Sequence, residues 1–115
     1  MSRLADIAKA TTYKVRTKLL IDDLIKTYPD GVTICGAYIF NHNGEDLRCF
    51  LFKENSDQFF YAHSGEIAIL FNEWLEACQG DCITLNKELA EEPVKVKIYR
   101  VPRKKGGFYT KAVVD

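Results

Sequence analysis

Between residues 65 and 79, six apolar side chains recur at helical spacing. Ile67, Leu70, Phe71, Trp74, Leu75 and Cys78 fall at i, i+3, i+4, i+7, i+8 and i+11, while Glu66, Asn72, Glu73 and Glu76 take the opposite side. A helix with one apolar stripe holds together only when that stripe is covered. The segments on both sides of it read as strands, so the expected partner is a layer of strands. Ser64 is placed to cap the helix start and Gly80 to end it.

Before that helix, Val32 to Phe40 is β-branched and aromatic, with Gly36 in its middle. A glycine inside a strand marks a bulge or a sharp bend. Asn41-His42-Asn43-Gly44 reads as a turn, because Asn-Gly supplies the positive φ of a tight hairpin. Leu47 to Phe52 and Gln58 to Ala62 are the next two strands, giving a meander. After the helix, residues 85–92 predict a short second one, capped by Thr84 and stopped by Pro93. Val94-Lys95-Val96-Lys97-Ile98-Tyr99 then alternates strictly, and Phe108 to Val114 is the last strand.

The remaining N-terminal part, residues 4–28, predicts a helical arm. Thr11, Thr12 and Tyr13 favour a break, with a true helix from about residue 14 and a stop at Tyr28-Pro29-Asp30-Gly31. The expected division is an arm over 1–27 and a folded unit over 28–115. A chain of 115 residues with 47% hydrophobic content can bury a core without metal or disulfides. No apolar run nears the roughly 20 residues of a membrane span, and the N-terminus lacks the pattern of a signal peptide. A cytoplasmic protein with its four cysteines reduced is expected.

Charge is balanced in total, 16 basic against 16 acidic residues, but not along the chain. Residues 27–93 carry a net −9, whereas residues 94–111 carry seven Lys/Arg and no acid. The protein is therefore electrically two-sided.

The order of three strands, a helix and two strands is that of the OB-fold, a small five-stranded antiparallel barrel, and a mainly β class with α elements follows. The 65–79 helix would plug one end, and Gly36 would let the first strand bend to serve both halves. A double-stranded-RNA-binding domain should end in a basic helix, whereas this helix bears Glu66, Glu73 and Glu76. Three features carry a family likeness: Tyr28-Pro-Asp-Gly-Val-Thr-Ile, the Trp-containing helix, and Val94-Lys-Val-Lys-Ile followed by Gly107-Phe-Tyr-Thr-Lys. Over residues 28–115 the chain resembles the small OB-fold single-stranded-DNA-binding proteins of phages and bacterial mobile elements. The resemblance implies binding of single-stranded DNA in replication or recombination. The neutral total charge and the acidic middle depart from that pattern.

Catalytic constellations are lacking: there is no glycine-rich phosphate loop, and the adjacent acids Asp22-Asp23 and Glu91-Glu92 point about 100° apart on a helix. A non-enzymatic binding module is expected, with no cofactor. The nucleic-acid-binding candidates fall in two groups. Lys95, Lys97 and Tyr99 share a strand face, Arg103, Lys104 and Lys105 crowd the following loop, and Tyr109 and Lys111 lie on the last strand. Cations there would neutralise phosphates, and rings such as Tyr99, Phe108 and Tyr109 would stack on bases. The second group is Tyr38, Arg48 and Phe50, where an arginine in register with Phe50 and Phe52 suggests a wet stacking face.

Each group has a competing reading. Lysines on an exposed strand also block edge-to-edge aggregation, and the aromatic face equally suits a homodimer interface or cover by the N-terminal helix. For the whole protein the competing function is a protein-interaction factor, such as a phage-borne inhibitor whose acidic middle meets a basic host protein. Cys78-Gln-Gly-Asp-Cys82 with His42 and His63 is a loose metal pattern, read here as core and loop cysteines. A chelator is accordingly expected to leave the thermal unfolding midpoint unchanged. A large drop, or stoichiometric zinc in the purified protein, would make Cys78 and Cys82 ligands.

Overall fold

A computed structural model describes residues 16–62 and 64–114. Its elements in chain order are β1 (Thr17–Lys18), α1 (Ile21–Thr27), β2 (Val32–His42), β3 (Glu45–Phe52), β4 (Gln58–Ala62), α2 (Gly65–Ala77), α3 (Cys82–Glu91), β5 (Val94–Pro102) and β6 (Phe108–Val114). The strands form one curled half-barrel sheet in the order β1-β4-β3-β2-β5-β6.

The five expected strands and their antiparallel pairings are present. The barrel is not: β6 does not pair back to the meander, and a sixth strand, β1, takes the place beside β4. That pair is parallel, Thr17 opposite Gln58 and Lys18 opposite Phe59, with Thr17 N–H donating to Asp57 O (2.8 Å) and Leu19 N–H to Phe59 O (2.8 Å). The helix expected to run from about residue 14 is thus extended at 17–18 and helical only from Ile21. Backbone pairing along the free edge of β4 outweighs helix propensity there. The earlier part of the predicted arm lies outside the described residues.

Gly36 does what its position suggested. Ile34 and Ala37 both lie in the core, three residues apart, a spacing that strict alternation forbids. The register of β2 on β3 shifts between Ile34 and Gly36, and this bulge absorbs the extra residue. Before the bulge β2 pairs with β5 over Val32–Ile34. Beyond it that edge is taken over by α3, where Asn86 Oδ1 accepts the Ala37 N–H at 2.8 Å. The β2–β3 turn is the two residues Asn43 and Gly44, with φ of 51° and 83°, the two positive values of a type I′ hairpin.

The core lies on the inner face of the curl, under α2. Phe50 meets Phe60 in a near-parallel stack (5.2 Å between centroids) and Phe71 and Trp74 edge-on (5.5 and 6.2 Å). Phe52 adds an edge contact to Tyr28 at the end of α1. Trp74, mid-stripe and so placed by its spacing for burial, is only partly covered, and Phe71 fills the deep position of the stripe. At the ends of α2, Ser64 stands at the N-cap without a side-chain bond, while Gly80 accepts positive φ and its N–H reaches Leu75 O (2.8 Å). The cap of α3 is Asp81 rather than Thr84: its carboxylate accepts from Ile83 N–H (3.1 Å) and from the Thr84 hydroxyl (2.7 Å).

Gly31 and Gly44 both have positive φ but differ in surroundings. A Cβ on Gly31 would lie 2.7 Å from the Val96 carbonyl oxygen, whereas one on Gly44 would meet nothing. In denaturant titrations Gly44→Ala is expected to cost about 1–2 kcal/mol, from backbone conformation alone. Gly31→Ala should cost above about 3 kcal/mol, because strand β5 must also shift. Equal losses at the two sites would contradict the close approach of Gly31 to β5.

Candidate nucleic-acid interface

Strand alternation sorts the terminal hairpin into two faces. Val96 and Ile98 point into the core, which leaves Lys95, Lys97 and Tyr99 on the outer side. The register sets Tyr99 opposite Lys111 and Val101 opposite Tyr109, so all five expected residues share one ribbon face. The Lys97 ammonium sits 5.8 Å from the centre of the Tyr99 ring, and the Arg103 guanidinium is at the same distance from Tyr109. These rings carry cations on their faces.

The loop at the tip is a formed turn. Arg103 N–H donates to Gly107 O (2.9 Å) and Gly106 N–H to Arg103 O (3.1 Å), with Gly106 and Gly107 both at positive φ. The two glycines serve this geometry, and it holds Arg103, Lys104 and Lys105 exposed at the end of the hairpin.

Because the sheet does not close, a groove of about 990 Å³ lies along the gap. One wall is built from the β1–α1 junction (Leu19, Leu20, Ile21), the end of β4 and the start of α2. The other is the β5–β6 tip, with Arg100, Arg103, Lys104, Phe108 and Tyr109. Phe108 is 63% exposed there, and Leu20 and Ile69 face it at 56% and 54%. Among the described residues that line it, Glu66 is the one carboxylate. Lys95, Lys97, Tyr99 and Lys111 do not line this groove, so the predicted set divides between the ribbon face and the tip.

Phe50 is not part of any surface. At 1% exposure it is the centre of the core ring cluster, which corrects its assignment as a stacking residue. Arg48, in register with it, donates from Nε to Asn72 Oδ1 (2.8 Å) and ties β3 to α2. The arginine thus marks the solvent-exposed rim where the core face of β3 meets the helix, while Phe50 lies beneath it. Tyr38 is partly buried, and its hydroxyl lies against the Cys49 thiol opposite it in register. Burial, and then Cys49, push the Tyr38 hydroxyl up to about 12, and burial pushes the Cys49 thiol up to about 11.

Arg100 is the groove residue that the sequence reading lacked, whereas Phe108, named there among the stacking rings, stands on the groove wall. By alternation Arg100 falls on the same side as Val96 and Ile98, and no local signal says that the core stops before it. Between α2 and α3 a second cavity, about 430 Å³, is floored by Trp74, Leu85, Leu89 and Val94 and edged by Glu88, Glu91 and Glu92. The Cys78 thiol donates to Glu88 Oε2 (2.8 Å), and the neighbouring carboxylate, followed by burial, pushes it up to about 11. Among the described residues no three His, Cys, Asp or Glu side chains gather as metal ligands. His42 stacks on Phe40 (6.1 Å), and His63 lies outside the described residues.

No protein-family model matches the chain, and the searches of curated proteins and of solved structures give no match either.

The two raised thiols have a measurable consequence. A rise from 9.0 to about 11 lowers the thiolate fraction near neutral pH about 100-fold. Mass spectrometry after brief iodoacetamide treatment at mildly alkaline pH should show Cys49 and Cys78 protected in the native protein and alkylated in denaturant. Since the folded thiols bind their protons more tightly, their contribution to stability is complete below about pH 9 and is lost as pH rises toward 11. Rapid native alkylation at either site would contradict these environments.

Proposed function

We propose that this protein is a non-enzymatic module that binds single-stranded DNA along the open seam of its sheet and over the tip of the terminal hairpin. The observation that carries the reading is the seam groove itself, where Phe108 stands exposed beside Arg103 and Lys104. Single strands are held by grooves that combine phosphate-neutralising cations with rings on which bases stack, and this wall offers both.

Connectivity supports it. A β-meander, two helices and a hairpin, with the first meander strand shared between its successor and the hairpin, have part of their strand order in common with the OB-fold. That fold binds oligonucleotides beside the loops equivalent to 43–44 and 103–107 here. The chain departs from it in leaving the barrel open and in adding β1. On this reading, Lys95, Lys97, Tyr99, Tyr109 and Lys111 guide the strand where it leaves the groove, and the module would act in phage or mobile-element replication or recombination.

A second reading, a factor that engages a basic protein, is favoured by the other cavity. Its carboxylates Glu88, Glu91 and Glu92 surround an apolar floor containing Trp74, within the segment of net charge −9.

The two readings separate in a salt series with a single-stranded oligonucleotide. Each phosphate neutralised contributes about 0.7 to the slope of log affinity against log salt. Replacing Arg103, Lys104 and Lys105 together by alanine should flatten the slope by up to about 2 units with the fold intact. Phe108→Ala should weaken binding by about 1–3 kcal/mol with the slope unchanged. A folded triple variant with the parent's slope would move the protein-partner reading to first place.

A further inference from the structure

We propose that Arg100 is a phosphate-binding residue of the seam groove, and that Asp22 occupies its guanidinium until a phosphodiester displaces it. The inference rests on the single-strand reading above and adds a competition to it. Arg100 lies on β5 in register with Thr110, past the last core residue of that strand, and it lines the groove. Its Nη2 donates to Asp22 Oδ1 on α1, a residue 78 positions away in sequence. The ion pair thus joins the two walls of the seam, one belonging to the β1–α1 corner and the other to the hairpin.

The pair is built to exchange. A guanidinium presents the same planar fork to a carboxylate and to a phosphate. The Asp22 side chain is 71% exposed, so water solvates it well once it is released. An exposed pair of this kind is worth little, typically up to about five-fold in an equilibrium constant. A phosphodiester arriving beside Arg103 and Lys104 meets a third cation, already positioned, at the price of separating one weak contact. In the strand-free protein Asp22 keeps that cation from standing unpaired in an apolar-walled groove.

The test is a fluorescence-polarisation titration of a short labelled oligothymidylate at several salt concentrations. Asp22→Asn, which keeps the side-chain shape, should tighten binding about two- to five-fold. Asp23→Asn removes the same charge one residue away without touching Arg100, and should tighten it less. Arg100→Ala should weaken binding and lower the salt slope by about 0.7, and in that background Asp22→Asn should no longer tighten it. Arg100→Lys keeps the charge but loses the fork, and should fall between the two. Circular dichroism confirms folding of each variant, and Arg100→Lys serves where Arg100→Ala does not fold.

A gain from Asp22→Asn that persists undiminished without Arg100, or is matched by Asp23→Asn, would show that Asp22 acts only through bulk charge, and the exchange would be refuted. Binding by the parent protein with no dependence on Arg100 would refute the exchange alone. No binding by the parent at low salt would bring down the single-strand reading and the exchange with it.

Discussion

The ring of Phe50 joins three elements: its own strand β3, strand β4 through Phe60, and helix α2 through Phe71 and Trp74. The aromatic part of the core is organised around this contact. With its inner face filled by Phe50, Phe52 and Phe60, the sheet must bend around the stripe of α2 to bury it, and aromatic pairs at these spacings add to the burial term. The hairpin β5–β6 is drawn in from the other side by Val96 and Ile98. Helix α2 packs against β6 as well as β4, and the sheet stays open between its edge strands β1 and β6.

That opening assembles the candidate site from distant segments. The β1–α1 corner supplies one wall and the β5–β6 tip the other, and the ion pair of Asp22 with Arg100 spans them. The charge asymmetry acquires a spatial meaning. The cations of the C-terminal segment are spread over the hairpin ribbon and its tip, whereas Glu88, Glu91 and Glu92 collect around the cavity between α2 and α3. Two surfaces of opposite charge are thus carried by one small core.

What could be read from the sequence was whatever is fixed by near neighbours. The Asn43-Gly44 turn, the bulge beside Gly36, the stripe of α2 and the alternation of β5 are all local in origin, and they stand where the residues indicated. The errors share a different origin. Thr17–Lys18 is a strand only because β4 offers a parallel edge, which no local pattern announces. Arg48 beside Phe50 and Phe52 reads as a wet face until Asn72 of α2 is seen to meet it. The seam itself, and with it the place of Arg100 and the exposure of Phe108, follows from β6 and β4 not pairing. That separation is a property of the packed assembly and of no segment taken alone.

The bulge in β2 makes chain length itself a carrier of information at one point. Ahead of it Val32 and Ile34 face inward, and after it Ala37 does, with the parity of every later residue to His42 counted from the extra position. Deleting one codon at position 35 or 36 would take out the extra residue itself, leaving Ile34 and Ala37 two residues apart and still inward opposite Phe52 and Phe50, so the faces would hold but the bend would be lost. The same deletion within residues 103–107 would only shorten a surface turn. Loss of a residue at the bulge would therefore straighten β2 where its edge passes from β5 to α3, a change that a shorter hairpin loop does not cause.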